Sequence, residues 1–535
     1  MAAMFYRHGR IHTLDGSAVP ADTLLSENGV IVAIGDYATV SEFLTGPAEE
    51  FDLEGRTVIP GLIDAHIHSA GFARDMTTVD LRGVAGLEEA LERIRRHAAS
   101  LAPGEWFFGG RWDFNTWAIP VQPDRYSLDS VCPDHPVALP SIDGHTIWAN
   151  SLALRAIGVT SATPDPIGGE IVRDETGEPT GILRESARQP LRDLTNSSLS
   201  GDLVAQLRKA HEHFLSIGLT GLHDMDAEDS RAAYLRLHEA GELKLRVHKS
   251  IPMDYLDGAI AEGRYTGQGD DWFSTGALKL FSDGAVGSHT AHMGEPFPGE
   301  PHNHGIEVIP YADLLRLIGK AARAGIAVAT HAIGDQANHL VLNAYAELLP
   351  IARQHGLRHR IEHAQHLQPA DAARFVELGV IPSMQPTHCT SDIPLSDSVL
   401  RGRPLANYAW RTLLDTGATL AFGSDAPVES PRPLYGLHAA VTRQNERGEP
   451  AGGWEPDQRL NLAEALAGFT SGPAFAAGQE AKLGRLTPGR LADFVVLNED
   501  PFAVDPGELR NLEVQTTVVG GEVRFQRTAE TVPLI

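Results

Sequence analysis

From about residue 200 onward the apolar positions switch repeatedly between two spacings. Asp202 to Ile217 places Leu203, Leu207, Ala210, Phe214 and Ile217 three or four residues apart, with Asp202 as N-cap and Gly218 as stop, which predicts an amphipathic helix. The apolar run Leu219 to Asp224 follows and reads as a buried strand. The same grammar recurs: a helix through Leu314, Leu315, Ile318 and Ala322 closes at Gly325, and Ile326-Ala-Val-Ala-Thr-His331 follows. His359-Arg-Ile-Glu-His363 comes after a helix from about Gln336, Val380-Ile-Pro-Ser-Met after one from Pro369, and Thr419-Leu-Ala-Phe-Gly-Ser-Asp425 after one from Pro404. Adding Val58 to His68, Leu245 to Ile251 and Ala277 to Asp283 gives eight strands, the number that closes a parallel (β/α)8 barrel of the TIM type.

That count requires residues 71–199 to be an insertion domain after strand 1. The segment has an amphipathic helix of its own (Leu87, Leu91, Ile94) and holds Trp106, Trp112, Trp117 and Trp148, and it is expected over the barrel mouth. Its aromatic residues either line a substrate pocket or fill the insertion's own core. At the amino end, Asn28-Gly29 marks a hairpin turn between two strands, and at the carboxyl end Gly520-Gly521 does the same. The expected organisation is a composite β-sandwich domain from 1–57 and 484–535, a barrel from 58–70 and 200–483, and the insertion at 71–199.

Composition narrows the function. Lys plus Arg is 44 against 70 Asp plus Glu, and the net charge of −26 repels nucleic-acid phosphate and anionic lipid, leaving a small neutral or cationic molecule as the expected partner. With only Cys132 and Cys389, the chain has neither a disulfide framework nor a zinc-thiolate site. The opening residues lack the apolar core of a signal peptide and no segment approaches about 18 uninterrupted apolar residues, so a cytoplasmic enzyme is expected, with no membrane partner and a homodimer open.

Six residues of metal-ligand type fall at the carboxyl ends of strands one, four, five, six and eight, the face on which barrel active sites sit: His66, His68, Lys279, His331, His363 and Asp425. His66 and His68 are two apart, so a strand presents both imidazoles on one side. Each residue alone has a plainer reading: hydrogen-bonded histidines, a salt-bridged or snorkelling lysine, a capping aspartate. Lys279 stands out because an unpaired ammonium inside Ala277-Leu-Lys-Leu-Phe pays heavily for desolvation. As a neutral amine it could instead take up carbon dioxide and become an anionic oxygen ligand between two metals.

Joint occurrence of these motifs resembles the amidohydrolase superfamily, specifically the amidohydrolase family 3 proteins that include N-substituted formamide deformylases. The carriers are Pro60-Gly-Leu-Ile-Asp-Ala-His-Ile-His68, Lys279-Leu-Phe-Ser-Asp-Gly284, His331-Ala-Ile-Gly-Asp-Gln-Ala-Asn338, Arg360-Ile-Glu-His363, Gly423-Ser-Asp-Ala-Pro427 and Gly489-Arg-Leu-Ala-Asp-Phe-Val-Val496. The resemblance implies two divalent ions, zinc being expected: His66, His68 and Asp425 on one, His331 and His363 on the other, N6-carboxylated Lys279 as bridge. It also implies metal-activated hydroxide, since a bound ion lowers the pKa of water from about 15.7 to about 7, with Asp425 as ligand and proton shuttle. Hydrolysis of a carboxamide-type C–N bond, in an N-substituted formamide or N-acyl amine, is the leading reading. A deaminase or cyclic amide hydrolase is the alternative, and a non-catalytic scaffold is the third. His145, Trp112, His223, Asp283 and His289 are candidate substrate contacts; many relatives have Arg where His289 stands.

Overall fold

The computed structural model describes residues 3–528 apart from 18, 77, 100, 103, 115–116, 142–145, 168 and 199–201. It divides into two compact units, residues 1–69 with 208–535 and residues 70–207.

The first unit contains the eight-stranded parallel barrel. Its strands are β1 (Leu62–Ile67), β2 (Leu219–Asp224), β3 (Arg246–Pro252), β4 (Phe273–Phe281), β5 (Val328–Ala332), β6 (Arg360–His363), β7 (Ile381–Met384) and β8 (Ala421–Phe422), each paired with its neighbours in sequence. β1, β2, β6 and β7 are buried at every position, as expected of strands covered on both faces, and three of them bury ionisable side chains among the apolar ones: Asp64 and His66 on β1, His223 and Asp224 on β2, and Arg360, Glu362 and His363 on β6. Between β8 and β1 the barrel closes through two backbone bonds just beyond the strands: Asp425 N–H donates to the His66 carbonyl at 2.7 Å and His68 N–H to the Ala426 carbonyl at 2.9 Å. Closure thus runs through the site's own residues. Helices intervene as predicted, among them Leu203–Ser216, Tyr311–Arg323 and Asp335–Gln354. The helix before β7, Ala372–Leu378, stops at Gly379 with φ 68°, a left-handed cap that a side chain would strain.

Two expected boundaries shift. The first predicted strand, Val58 to His68, is two strands: Thr57–Pro60 belongs to the β-domain and Leu62–Ile67 to the barrel, with Gly61 between them. A Cβ at Gly61 would lie 2.3 Å from Thr220 Oγ1, so only glycine permits the crossing there. The helix expected from Pro404 begins instead at Trp410, because Ala406–Asn407 pairs with His366–Leu367.

The β-domain has one sheet of Val30–Gly35, Thr23–Glu27, Ala3–Arg7 and Ala48–Asp52, and a second of Arg10–Ile11, Thr57–Pro60, Phe494–Leu497, Val514–Val519 and Glu522–Gln526. Tyr6, Leu24 and Ile31 from the first pack with Val58, Phe494, Val496 and Val518 from the second, which makes the composite sandwich. Asn28 (φ 52°) with Gly29 (φ 82°), and Gly520 with Gly521, form the two hairpin turns, all four in the positive-φ conformation such turns need.

The second unit is built on a six-stranded sheet, Gly169–Arg173, Pro179–Glu185, Thr146–Ala149, Val137–Pro140, Phe107–Gly110 and Val79–Asp80 in spatial order. Trp112, Trp117 and Trp148 sit in one hydrophobic cluster with Ile94 and Leu139, so these aromatics fill the unit's interior. Among the described residues no helix is long and apolar enough to cross a membrane.

Candidate metal centre and active site

Parallel register brings the ligand-type residues together. Phe281 at the end of β4 lies opposite His331 on β5, and Ala332 opposite His363 on β6. The rings of His331 and His363 are 4.5 Å apart, those of His363 and His66 4.9 Å, and those of His66 and His68 5.8 Å. Asp425 Oδ1 is 3.5 Å from Nε2 of both His66 and His68. His66, His363 and Asp425 each offer one potential ligand atom within 4.8 Å of the others. All six residues named from sequence share this neighbourhood, for the Lys279 charge acts on His66, His331 and His363.

Backbone conformation helps to aim them. His363 has φ 73° and Asp425 φ 58°, both in the left-handed region that costs a side-chain-bearing residue about 1–3 kcal/mol. In an extended strand Glu362 and His363 would point to opposite faces. Leaving the strand conformation at His363 releases it from that alternation, so that Glu362 and His363 both serve the centre.

Each imidazole is oriented by a partner on its far nitrogen. His66 Nδ1–H donates to Glu362 Oε2 at 2.6 Å, His68 Nδ1–H to Asp226 at 3.0 Å, and His363 Nδ1–H to Gln385 Oε1 at 2.8 Å. Those bonds leave Nε2 as the lone-pair nitrogen. His331 is turned around: Nε2–H donates to the Gly284 carbonyl at 3.1 Å, which leaves Nδ1. Such outer bonds fix tautomer and ring orientation in metal sites. Glu362 is itself fully buried, its other oxygen 2.7 Å from Arg360 Nε. Burial pushes its carboxyl up, but the charges of Arg360 and Lys279 outweigh that and hold it below the ordinary value.

Electrostatics favour neutral ligands. Burial, followed by the charge of Lys279, lowers His66 well below the usual imidazole range and His331 to about 3; burial and the His331 charge do the same for His363. His68 is the exception, because the bond and charge of Asp226 outweigh its burial and raise it. Burial brings Lys279 down to about 8, against the opposing pull of Glu362 and Asp425. Its Nζ is buried and has no hydrogen-bond partner, lying 5.0 Å from the Phe281 ring. A buried orphan amine beside neutral imidazoles and a carboxylate is the donor set that a divalent ion, and a carboxylated lysine, would complete.

The other residues singled out from sequence have different surroundings. Trp112 is 2% exposed and its indole N–H donates to the Leu139 carbonyl at 2.8 Å, inside the second unit. His145 lies outside the described residues. His223 is buried in the barrel, accepting from Arg360 at 2.8 Å and packed on His248. Asp283 accepts the backbone N–H groups of Ile333, Gly334 and His292, a clamp between the segments that follow β4 and β5. His289 bonds Glu300 at 2.7 Å and stacks on Phe297.

Glu362, Asp226, Gln385 and His388 were not anticipated. Glu362 did carry a signal, since it stands beside the ligand-type His363 in the strand His359-Arg-Ile-Glu-His363, whereas the other three lie on segments beyond the strands.

The family model described as the amidohydrolase family matches residues 49–525. The chain is 34% identical to Protein LONG AFTER FAR-RED 3 of Arabidopsis thaliana, covering 98% of this chain and 91% of that one. It is 31% identical to the N-substituted formamide deformylase of Arthrobacter pascens, over 97% of this chain and 98% of that one. Among solved structures, an uncharacterised metal-dependent hydrolase from Pyrococcus horikoshii aligns with TM-score 0.75 and 28% identity, over 95% of this chain and 99% of that one. A family match along nearly the whole chain, over a barrel whose rim gathers these imidazoles and carboxylates, carries the conclusion: the chain belongs to the amidohydrolase family and is a metal-dependent hydrolase acting on carbon–nitrogen bonds.

Proposed function

We propose that the enzyme hydrolyses the C–N bond of a small N-substituted formamide or N-acyl amine, giving a carboxylic acid and a free amine. The observation that carries this reading is the placement of Asp425, with Oδ1 3.5 Å from Nε2 of both His66 and His68 and Oδ2 on its other side. Similarity to a formamide deformylase along nearly the whole of both chains supports the substrate class.

His66, His68 and Asp425 would hold one zinc ion and His331 and His363 a second, with carboxylated Lys279 between them. When bound, the pair supplies Lewis acidity toward the scissile carbonyl and lowers the pKa of water. Asp425 takes the proton released as water adds to the carbonyl carbon. It then gives that proton to the amine nitrogen as the C–N bond breaks, so the amine leaves neutral. Glu362, Asp226 and Gln385 keep the imidazoles in the tautomers that leave their lone pairs facing inward. The net charge of −26 disfavours anionic substrates, nucleic acid and anionic membranes, and suits a small-molecule enzyme of the cytoplasm.

The test is a panel of N-substituted formamides, N-acyl amines and ring substrates offered to the zinc-loaded protein, with amine, carboxylate and ammonia measured separately. Amine and carboxylate in equal amounts are expected; turnover confined to ring substrates with ammonia release would make the enzyme a deaminase. Asp425→Asn should retain much of its metal while kcat falls about 10²–10⁴-fold. A variant with near-normal kcat would remove the shuttle.

A further inference from the structure

Within the same centre stands a side chain to which none of the preceding chemistry gives a task. His388 lies on the helix Pro386–Ser391, directly beyond β7, and its side chain is 11% exposed. Its ring lies parallel to His363, 5.9 Å away with planes 5° apart. The Gln365 side-chain amide donates to Nδ1 at 3.5 Å, which puts the ring proton on Nε2. That Nε2 is buried and has no hydrogen-bond partner. The nearest carboxylate oxygen, Asp425 Oδ2, is 3.7 Å away, beyond bonding distance. A buried donor held in a fixed tautomer and left without an acceptor calls for an explanation, and one is a ligand group that arrives with the substrate.

We infer that His388 is a further catalytic residue, whose Nε2–H donates to the acyl oxygen of the substrate and strengthens that bond as the oxygen becomes an oxyanion. The location fits the task. A carbonyl carbon within reach of Asp425 Oδ2 puts its oxygen beside the same carboxylate, on the side where His388 already points. A neutral imidazole suffices, because the donor is needed before and after the addition step and no proton is transferred. Packing on His363 and the Gln365 bond hold the ring in advance, the condition under which a fixed dipole acts on developing charge.

The inference rests on the acyl-transfer reading above, so its test has an arm that needs no turnover. His388→Ala and His388→Gln are prepared alongside the native enzyme. Bound metal is measured by mass spectrometry, kinetics are measured on an N-substituted formamide, and affinity for methylphosphonate, a tetrahedral oxyanion probe, is measured by calorimetry. The expected result for His388→Ala is unchanged metal content, a fall of about 10²–10³ in kcat with KM changed little, and at least about tenfold weaker methylphosphonate binding. His388→Gln, which restores an N–H at similar reach, should recover a substantial part of both. Two results overturn the proposal: kcat and methylphosphonate affinity in His388→Ala within threefold of native, or losses that track loss of metal, which would reduce His388 to packing on His363. Failure of the native enzyme to cleave any carboxamide would instead sink the acyl-transfer reading; the methylphosphonate comparison would then decide the role of His388 by itself.

Discussion

Replacing Glu362 with glutamine tests whether the buried carboxylate sets the tautomer of His66. Glu362 is 0% exposed; its Oε2 accepts from His66 Nδ1–H at 2.6 Å and from Arg360 Nη2 at 3.0 Å, and its Oε1 lies 2.7 Å from Arg360 Nε. A carboxylate accepts from both sides, whereas an amide has one oxygen and one NH2. Arg360 is always charged and faces both oxygens, so the glutamine oxygen takes the Oε1 place, at the closer approach of Nε, and the NH2 takes the Oε2 place, toward His66. His66 must then accept at Nδ1, which moves its proton to Nε2, the nitrogen that faces Asp425. Metal binding has to displace that proton. Loss of an outer partner of a ligand histidine typically costs 10–100-fold in metal affinity, about 1.4–2.7 kcal/mol. Glu362→Ala should be worse for the fold than for the metal, since it strands a guanidinium that is itself 3% exposed at the side chain; unpairing a buried charge costs about 3–5 kcal/mol. Competition against a chromophoric chelator gives the affinities, and denaturant unfolding of the metal-free proteins gives the stabilities. Native-like metal affinity in Glu362→Gln, within twofold, would refute the tautomer argument.

Three other perturbations separate structural from chemical roles. Lys279→Ala should bind one ion fewer per chain, yet lose little stability because it removes a buried amine that has no hydrogen-bond partner; metal analysis showing two ions retained would end the bridging role. Arg246→Ala breaks a buried bidentate pair with Asp493, at 2.6 and 2.8 Å, and should cost about 3–5 kcal/mol in urea unfolding; a loss below about 1 kcal/mol would show that the pair contributes little. Glu464 is pushed up by burial, but Arg411 and the Asn461 backbone N–H outweigh this and hold its carboxyl below the usual value, so it stabilises the fold above the ordinary carboxylate range and loses that effect as pH falls through the lowered value. Glu464→Gln should therefore be less stable than native at pH 7 and equal to it near pH 3, and a gap that persists in acid would point to the capping box around Asn461 rather than to charge.

The barrel was legible because its physics is local. Most of the strands lie in short, largely apolar stretches closed off by a glycine or a helix signal, Arg360–His363 being the polar exception, and the six ligand-type side chains each stand at or near a strand's end. The partners of those side chains were not legible, for reasons of distance along the chain. Glu362 meets His66 across 296 positions and Ser424 meets Asp64 across 360, and nothing near either residue in sequence announces the meeting. Trp112 shows the converse limit. Its type suits both a pocket and a core, and only the packing around the second unit's sheet places it inside. The merging of Thr57–Pro60 with Leu62–Ile67 has a similar origin, since an apolar run does not reveal that its two halves pair with different sheets.

That divided run has a consequence for the order in which the molecule matures. Thr57–Pro60 is held by Phe494–Leu497, and the Gly61 N–H donates to the Asp493 carbonyl, so the segment that feeds His66 and His68 into place is clasped by residues made more than four hundred positions later. A nascent chain that has emerged as far as Asp425, just past β8, contains every ligand-type side chain but lacks that clasp. Ion capture is thereby expected to wait for release from the ribosome, and chains halted before Asp493 should emerge from chelating resin empty where full-length chains stay loaded.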